Sequence, residues 1–380
     1  MFLSRLRIRD FRNLGVQELV IPREGVAILG DNAQGKSNLL EAIYYLETLR
    51  SFRGAKDSQL VAFGRSVFRV EGEITDGTQS RETAGGAPGP EGAPGPIAAA
   101  FDRVSREKRV FVGGDAQETL SAGLGHVGAV IFSPDDIRMV NGPPAERRRF
   151  LDIVLSLNKQ GYMLALQRYR RALAQRNAAL KSGMGVAGVE GWNRVLATEG
   201  SVLIRARADW VQANATRFTE HYGAISGSET ATMMYRPSVA SGEGDTTAGD
   251  LLAALRDAES RDLRLRTTTL GPHRDELSMI IVEDDLEVRE FGSGGQRRTA
   301  ALALRLIEAD TIASARGIDP IILMDDAFAE LDQPRSERLL GRIEAGLVGQ
   351  VILTAPKEAD VRVRGDVLPR WRIKAGRIAA

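Results

Sequence analysis

The spacing of apolar and polar residues predicts strands around one helix at the start of the chain. Leu6 and Ile8 alternate with charged neighbours, which is the two-residue period of a half-buried strand. The unbroken apolar run 26–29 indicates a buried strand, and 67–74 indicates another. Between them, residues 38–50 carry apolar side chains at the spacing of one helix face, at Leu39, Leu40, Ile43, Leu46 and Leu49.

The period changes to that of helices from Ala145 onward. One helix is predicted by apolar residues three, four or seven positions apart, at Met163, Leu166, Tyr169, Leu173 and Leu180. A second helical run, 192–222, follows a glycine-rich break at 182–191, and a short helix is expected at 250–259. The middle of the chain is therefore expected to be mostly helical.

Strand patterns return near the end of the chain, so these helices interrupt an α/β body. Strands are expected at 277–288, 321–324 and 351–354, with a glycine loop and a long helix at 292–316. We predict an α/β fold with a body, 1–144 plus 266–380, and an inserted helical lobe, 145–265. The Gly/Pro-rich stretch 84–96 is predicted to be a mobile surface loop, because it has too little apolar surface to offset the cost of ordering it.

Composition narrows the class of protein without indicating a partner. The 380 residues carry a net charge of +1, so overall charge says nothing about a polyanionic partner. The chain has no cysteine, which excludes a disulfide framework and a zinc–thiolate site, and its three histidines are not at metal-ligand spacing. The N-terminal segment lacks an apolar signal core and no apolar run reaches membrane-spanning length, so we expect a cytoplasmic protein without a membrane partner.

Residues 30–37 match the phosphate-binding P-loop pattern G-x-x-x-x-G-K-[ST] at every fixed position. The glycines let backbone N–H groups turn towards phosphates, Lys36 would place a positive charge on them, and Ser37 would put its hydroxyl on Mg²⁺. The context fits, because a buried strand comes before the motif and a helix, whose N-terminus favours anions, comes after it. The predicted site is lined by Gly30, Asp31, Asn32, Ala33, Gln34, Gly35, Lys36 and Ser37.

A second candidate element is the apolar strand 320–324, which ends in Asp325 and Asp326. This has the form of a Walker B strand, with carboxylates at the C-terminal edge of a sheet, where α/β sites lie. Asp325 would hold the Mg²⁺ shell, and Asp326 could orient or deprotonate an attacking water. Thr354, at the end of the next strand, is placed to sense the γ-phosphate. A solvated acidic turn is the alternative, which the upstream P-loop disfavours.

The third element is the glycine-rich segment 291–297, which precedes a helix and resembles another anion-binding nest. Ser293, with Gly294 and Gln296 beside it, can hydrogen-bond a phosphate. The P-loop already covers the phosphates from one side, so a second nest makes sense if each of two subunits supplies Ser293 to the other's nucleotide. Residues 330–332 lie where a chain could cross such an interface. A glycine-rich linker remains the alternative for 291–297 taken alone.

A local excess of positive charge follows in the helical middle. Between Glu146 and Lys181 there are nine Lys or Arg and two Asp or Glu. Contacts to DNA phosphates are one interpretation, and a solvated helix face with internal salt bridges is the alternative for any single arginine. The absence of an aromatic stripe favours duplex backbone binding over stacking on single strands. The candidate DNA contacts are Arg147, Arg148, Arg168, Arg170 and Arg171.

P-loop, large insert, Ser-Gly-Gly-Gln and Asp-Asp occur in the order found in ABC-type ATPase heads of the SMC and Rad50 class, which the chain resembles. Five further segments sharpen the resemblance: 11–13, 51–53, 142–152, 270–276 and 325–332. With them the chain resembles the RecF family of recombination mediators more specifically, and this resemblance covers nearly all of the chain except the 84–96 loop.

The resemblance to the RecF family implies ATP on residues 30–37 with Arg12 and Asn13 beside it, Mg²⁺ near Ser37 and Asp325, and Ser293 acting in trans. It implies a DNA-repair ATPase that forms an ATP-dependent homodimer on DNA at gaps or single-strand/duplex junctions. Cooperation with RecR and RecO in loading RecA, and slow hydrolysis for release, are implied with it.

Two residues differ from the broader ABC pattern. The residue after the Walker B aspartate is Asp326 and not Glu, as is usual in RecF-like heads, and the shorter carboxylate fits slow hydrolysis. Thr354 stands where a switch histidine would be expected. The segment 132–135 lies near the expected Q-loop but holds no glutamine.

Three other classes remain to be weighed against a repair ATPase. A chromosome-organising or end-processing head of the SMC/Rad50 kind needs a long heptad insert, and the middle segment is too short for one. A transporter ATPase subunit needs a membrane partner and normally a switch histidine. A nucleotide-dependent scaffold without turnover would be favoured if hydrolysis were undetectable in the presence of DNA.

Overall fold

The computed structural model describes residues 1–75, 95–239, 247–326, 331–346, 349–358, 361 and 368–379. Most of the predicted 84–96 loop therefore lies outside the described residues, as does Glu330 of the predicted interface segment. The chain divides into two compact units, one made of 1–136 and 308–380 and the other of 137–307.

The first unit begins with strands on both sides of the P-loop helix. In chain order it contains β1 (Phe2–Arg9), β2 (Gln17–Val20), β3 (Gly25–Leu29), α1 (Lys36–Thr48), α2 (Asp57–Leu60), β4 (Val67–Thr75), β5 (Ile97–Asp102), β6 (Lys108–Val112), β7 (Asp115–Ala116) and β8 (Ala129–Phe132). Short 3-10 helices follow β7 and β8, at Leu120–Gly123 and Pro134–Ile137.

The second unit is mostly helical and contains one small sheet. Its elements are α3 (Arg138–Asn141), α4 (Pro144–Asn158), α5 (Tyr162–Lys181), α6 (Val186–Ser226), β9 (Ala231–Arg236), α7 (Ala248–Asp257), α8 (Glu259–Leu265), β10 (Glu276–Ile281), β11 (Leu286–Glu287), α9 (Val288–Phe291) and most of α10 (Gly294–Arg316). After α10 the chain completes the first unit with β12 (Ile321–Asp325), α11 (Gln333–Gly346), β13 (Val351–Ala355), β14 (Arg370–Lys374) and β15 (Arg377–Ala379).

The two sheets of the first unit have different topologies. One is antiparallel, with the strand order β2-β1-β4-β5-β6-β7. The other has the order β15-β14-β3-β13-β12-β8, and all its neighbouring pairs are parallel except β14 with β15. The carboxyl ends of its parallel strands share one edge, which is where α/β proteins place their sites.

Helix α1 lies between these two sheets, which changes the prediction of a single apolar face. It contacts β4 and β5 of the antiparallel sheet and β8, β12 and β13 of the other. Eleven of its thirteen residues are buried, including Glu41 and Glu47. The interior tolerates these two carboxylates because each has partners: Arg12 and Arg53 pair with Glu41, and Arg316 pairs with Glu47.

The second unit is larger than the predicted insert of 145–265. The reason is a sheet that joins distant segments: β9 pairs along its length with β10, from Ile281 opposite Ala231 to Glu276 opposite Arg236. The start of α10 adds apolar side chains to the same core, among them Ala300 and Leu304. Residues 266–307 therefore belong with the second unit, and the predicted signature segment lies there too.

The helices of the second unit also differ in extent from their predictions. The glycine-rich break is shorter than 182–191, because α6 already begins at Val186 and then continues for 41 residues. Gly200 lets α7 approach α6 closely, since a Cβ there would lie 2.6 Å from Leu251 Cδ2. The sequence pattern did not predict α8.

Candidate functional site

The parallel sheet of the first unit brings the predicted catalytic elements to one edge. β3 leads into the P-loop, β12 ends at Asp325, and β13 lies between them. In the strand register, Asp325 is opposite Thr354, and Ala355 is opposite Leu29. Residues far apart in sequence thus meet where the strands end.

Lys36 is held inside the P-loop by the loop's own backbone. Its side chain is buried, and its Nζ donates to the carbonyl oxygens of Gly30 at 2.6 Å and Asp31 at 3.2 Å. These two hydrogen bonds hold the Lys36 ammonium within the loop. The contact of the ammonium with phosphate stays a prediction.

Ser37 and the Walker B aspartate are in direct contact. Ser37 Oγ donates to Asp325 Oδ1 at 2.7 Å, and Thr354 Oγ1 lies 3.1 Å from the same oxygen. Burial raises the pKa of Asp325 and the nearby Asp326 adds to the rise, while hydrogen bonds from Ser37 and Thr354 oppose it. The arrangement holds a buried carboxylate that a cation would stabilise.

These donors fit Mg²⁺, since a hydroxyl and a carboxylate are hard oxygen ligands and Mg²⁺ usually takes one or two protein groups together with substrate phosphates. In the part of the chain that the structure describes, no group of three or more His, Asp or Glu side chains is placed to hold a metal ion.

Asp326 follows the strand in a left-handed backbone conformation, with φ of 46°. Its backbone N–H donates to Thr354 Oγ1 at 3.1 Å. Thr354 therefore ties β13 to the turn that carries both aspartates. The bond gives Thr354 a structural reason for its position, and its predicted sensing of the γ-phosphate stays a prediction.

Asn13 supports the P-loop through hydrogen bonds. Its Nδ2 donates to the carbonyl of Gln34 at 3.2 Å, and its Oδ1 accepts from Asn38 Nδ2 at 2.8 Å. Gly35, at φ of 112°, allows this approach, because a Cβ there would lie 2.7 Å from Asn13 Oδ1. Its direct contact with nucleotide stays a prediction.

The turn between β14 and β15 also holds the P-loop, and no sequence motif predicts this contact. The backbone N–H of Ala375 donates to Gln34 Oε1 at 2.7 Å, and that of Gly376 donates to the Gln34 carbonyl at 2.8 Å. Gln34 thus receives hydrogen bonds from two distant segments of the first unit. The Gln34 side chain therefore helps to stabilise the conformation of the P-loop.

Arg12 has a protein partner of its own. Its guanidinium donates to both carboxylate oxygens of Glu41, at 2.8 and 3.0 Å. Burial alone would raise the pKa of Glu41, but hydrogen bonds from Arg12 and Ser51 and the charge of Arg53 hold it below its ordinary value. Arg12 therefore fixes α1, and its predicted contact with nucleotide stays a prediction.

Arg53 lies in the segment 51–53, which carries part of the family resemblance, but the sequence alone predicts no role for it. Its guanidinium donates to Glu41 Oε2 at 2.8 Å and also to Asn38 Oδ1. Its charge opposes the rise that burial causes in the pKa of Asp325. Arg53 is thus part of the electrostatic environment of the P-loop site.

The signature segment in the second unit forms a capping box at the start of α10. The backbone N–H of Gln296 donates to Ser293 Oγ at 3.2 Å, and the backbone N–H of Ser293 donates to Gln296 Oε1 at 2.7 Å. Gln296 Nε2 is further held by Glu229 at 3.1 Å. Ser293 and Gly294 are exposed. Gln296 therefore shapes the turn, and the Ser293 hydroxyl can still donate a hydrogen bond outward.

Arg147 is not on the surface, so its predicted contact with DNA is wrong. Only 2% of its side chain is exposed, and its guanidinium pairs with both oxygens of Glu276 at 2.6 and 2.8 Å. The same group donates to the carbonyls of Val140 and Gly142, each at 3.0 Å. Charge counts along the sequence could not distinguish this arginine from its exposed neighbours.

The other four candidate arginines differ in their surroundings. Arg148 is half-buried, donates to the Asp275 carbonyl at 2.8 Å, and has a pKa lowered mainly by burial. The three on α5, Arg168, Arg170 and Arg171, are exposed. Arg168 and Arg170 also form ion pairs, with Glu199 at 3.4 Å and Asp152 at 2.8 Å. Their contact with DNA stays a prediction.

The two segments 142–152 and 270–276 meet in a buried polar network of the second unit. Arg207 donates to Asp152 Oδ1 at 2.8 Å and to the Pro272 carbonyl at 2.7 Å. Burial lowers the pKa of His273 to about 4, so its imidazole is neutral at pH 7, 2.6 Å from the hydroxyl of Tyr169. These segments hold the second unit together.

Separate substitutions of Arg147 and Arg171 are expected to distinguish an arginine that stabilises the fold from one that contacts DNA. Arg147→Ala should lower the free energy of unfolding by about 3 kcal/mol, because Glu276 loses its buried partner. Arg171→Ala should change it by less than about 0.5 kcal/mol, but should lower the slope of log K against log salt for duplex DNA by about one. Urea denaturation and fluorescence anisotropy at several salt concentrations measure both. A stable Arg147→Ala variant with a reduced salt slope would return Arg147 to the DNA surface.

The sheet topology, the P-loop, the paired aspartates of Walker B and the capped Ser-Gly-Gly-Gln helix define an ATPase head of the ABC class. The chain belongs to the RecF family. It is 35% identical over 354 residues to a Synechococcus protein described as DNA replication and repair protein RecF, covering 90% of this chain and 89% of the relative. A Thermosynechococcus vestitus protein of the same description is 34% identical over 393 residues, covering 100% and 97%.

Solved structures agree with this assignment. A structure described as the recombination mediator protein RecF with ATP in the RecFOR pathway superposes with a TM-score of 0.85 at 30% identity, covering 100% of this chain and 98% of that one. An Smc head domain from Pyrococcus furiosus shares the fold, with a TM-score of 0.57 at 17% identity over 99% of this chain and 95% of that one. No family model matches the chain. Among the described helices, none combines the length and apolar character needed to cross a membrane.

Proposed function

We propose that the protein is a DNA-repair ATPase that closes as an ATP-dependent homodimer on DNA at gaps or single-strand/duplex junctions. Slow hydrolysis, stimulated by DNA, releases it, and RecR and RecO act with it in loading RecA in the cytoplasm. The observation that carries the proposal is the 2.7 Å contact between Ser37 Oγ and Asp325 Oδ1, which joins the P-loop to Walker B. The names of its relatives, with RecF solved in the presence of ATP, support the same nucleotide and process.

The residues of the first unit divide the work on the nucleotide. The backbone of residues 30–37 would surround the phosphates, and Lys36 would exchange its carbonyl partners for phosphate oxygens. Ser37 and Asp325 would hold Mg²⁺, which neutralises phosphate charge when bound. Asn13 and Gln34 stabilise the conformation of the P-loop, since both form hydrogen bonds with other segments of the first unit.

Asp326 is the group that we assign to the attacking water. It follows Asp325 directly, and the Thr354 hydroxyl fixes its backbone N–H at 3.1 Å. A carboxylate can orient a water or accept its proton. Because aspartate reaches less far than glutamate, turnover is expected to be slow, which suits a switch.

The second unit supplies the surface that a partner subunit's nucleotide would contact. Ser293 and Gly294 are exposed at the start of α10, where backbone N–H groups and the helix dipole favour an anion. The capping box holds Ser293 in place before any ligand binds. These features support a dimer in which each Ser293 reaches the other protomer's phosphates.

DNA contacts are assigned to the exposed arginines of α5. Arg168, Arg170 and Arg171 lie on the solvent side of that helix, and two of them are held by ion pairs that leave them more than half exposed. Exposed guanidiniums can exchange a carboxylate for a phosphate. Arg148, half-buried beside the Asp275 carbonyl, is a weaker candidate.

Light scattering with ATP, with and without gapped DNA, tests the proposal as a whole. We expect a single chain of 41.2 kDa without nucleotide and about twice that mass with ATP. ATP hydrolysis should be measurable and should rise with gapped DNA. Dimers that form equally without ATP would contradict the switch, and undetectable hydrolysis with DNA would favour a nucleotide-dependent scaffold.

Asp326→Asn is expected to trap the ATP-bound dimer. The amide keeps the size of the side chain but cannot accept a proton from water, so hydrolysis should fall by on the order of a hundredfold while ATP binding persists. Turnover assays and dimer lifetime by light scattering measure both effects. Asp319→Asn, an exposed aspartate before the same strand, is the matched control. Normal turnover in Asp326→Asn would remove this residue from catalysis.

A further inference from the structure

Two loops at one end of the antiparallel sheet present fully exposed apolar side chains among arginines. Phe63 is 103% exposed and Val104 is 82% exposed. Phe63 lies in the loop 62–66, before β4, and Val104 in the turn 103–107, after β5. We call these two loops the Phe63 tip.

The Phe63 tip is held at its base by hydrogen bonds. Val67 pairs with Asp102 where β4 begins and β5 ends, so the two loops are neighbours. Arg103 joins them, since its backbone N–H donates to the Ser66 carbonyl at 2.8 Å and its guanidinium donates to the Val61 carbonyl at 2.9 Å. The backbone N–H of Ala62 donates to the Asp10 carbonyl at 2.8 Å. The loop that carries the Phe63 ring is therefore held in place by hydrogen bonds, and the ring itself is not part of a hydrophobic core.

The charges around the tip are mainly positive. Arg65 and Arg106 are exposed on the two loops, and Arg9 is exposed at the end of β1, the strand next to β4. Three carboxylates lie nearby, and each is engaged locally. Asp10 is 3.6 Å from Arg65, Asp102 accepts the Val104 N–H at 2.7 Å, and Glu107 pairs with Arg109 at 2.9 Å.

We propose that the Phe63 tip binds nucleic acid at a gap or junction, where Phe63 stacks on an exposed base while Arg65 and Arg106 contact phosphates. The inference rests on the proposed function, because it requires DNA as the partner. Inside an intact duplex each base is already stacked on its neighbours, so the ring finds a partner only where the stack is interrupted. The positive groups here are guanidiniums, which match the phosphates of a polyanion, and the exposed ring matches the flat face of an unstacked base.

A single exposed ring binds nucleic acid differently from an aromatic stripe, which this sequence lacks. A series of aromatic residues would track a single strand, base after base. One exposed ring beside a basic surface recognises one position instead. It would add a preference for interrupted duplexes to backbone contacts that are indifferent to sequence.

Fluorescence anisotropy with ATP, using a labelled gapped duplex and an intact duplex of equal length, tests the tip. Phe63→Ala should bind the gapped duplex about tenfold more weakly, the loss expected for one base–aromatic stack, and the intact duplex unchanged. Phe63→Tyr should keep the preference because it keeps the ring, whereas Phe63→Leu should lose it. Val20→Ala, which removes an exposed apolar side chain beside Arg5 on the same sheet, is the matched control and should behave like the wild type.

Other outcomes overturn the inference in distinguishable ways. If Phe63→Ala weakens ATP binding itself, the ring contacts nucleotide and not DNA. If Phe63→Ala binds both duplexes like the wild type, or loses both equally, the tip does not recognise the gap. If the wild type shows no ATP-dependent binding to either duplex, the proposed function fails first.

Discussion

Lys36→Met is expected to lower ATP affinity by on the order of a hundredfold and to abolish ATP-dependent retention on DNA. Methionine is close to lysine in length and fits the same buried position, so the change removes the charge with little change in volume. The carbonyls of Gly30 and Asp31 lose a donor, and the phosphates lose the ammonium that would neutralise them. Without ATP the dimer has no reason to close.

Nucleotide titration by fluorescence and filter retention of gapped DNA measure the effect of Lys36→Met. Lys159→Met is the matched control, because Lys159 is an exposed lysine after α4 in the second unit, where it pairs with Asp209, and it lies outside the P-loop. Thermal unfolding of both variants checks that the fold is intact. Unchanged retention of DNA by Lys36→Met would contradict the assignment of residues 30–37 to ATP.

The nucleotide elements could be predicted because their signals are local. A P-loop needs a strand, a glycine turn and a helix in immediate succession, and 26–50 supplies them in order. An apolar strand that ends in two carboxylates is equally visible in 320–326. Parallel pairing then explains why Asp325 and Thr354 meet, since both belong to strands that end at the same edge.

What the sequence could not predict depends on contacts between distant segments. Arg147 and Arg171 look alike in a charge count, but Arg147 finds Glu276 in the interior and Arg171 faces solvent. The hydrogen bonds from Ala375 and Gly376 to Gln34 join residues about 340 positions apart, and no sequence motif predicts them. The predicted end of the helical insert at 265 differs from the observed boundary for the same reason. Only the pairing of β9 with β10 shows that residues 276–281 belong to the core of the second unit.

The aromatic residues show the limit of reading patterns alone. Phe11 and Phe68 pack edge to face at 5.1 Å in the core, whereas Phe63 is fully exposed. Phe68 lies within β4, but Phe11 and Phe63 lie outside the strands β1 and β4, so strand alternation predicts the burial of neither.

Ser293→Arg is expected to leave ATP binding unchanged and to prevent ATP-dependent dimerisation. The P-loop residues belong to the first unit, whereas Ser293 is exposed at the start of α10 in the second. A long cation there removes the hydroxyl, fills the space that a partner's phosphate would enter, and opposes the positive end of the helix. We expect dimer affinity to fall by at least about a hundredfold, equivalent to the loss of two charge-assisted hydrogen bonds.

The control for Ser293→Arg is Ser314→Arg, the same change at an exposed position on the same helix, where Ser314 bonds the Thr311 carbonyl. Ser293→Arg also removes a helix N-cap, which costs about 1 kcal/mol, so urea denaturation should accompany light scattering. Ser293→Ala separates the two effects, because it loses the same cap without adding bulk or charge. If Ser293→Arg still doubles its mass with ATP while Ser314→Arg behaves like the wild type, the signature serine does not act across the dimer. The capping box at Gln296 would then be a structural feature of the second unit alone.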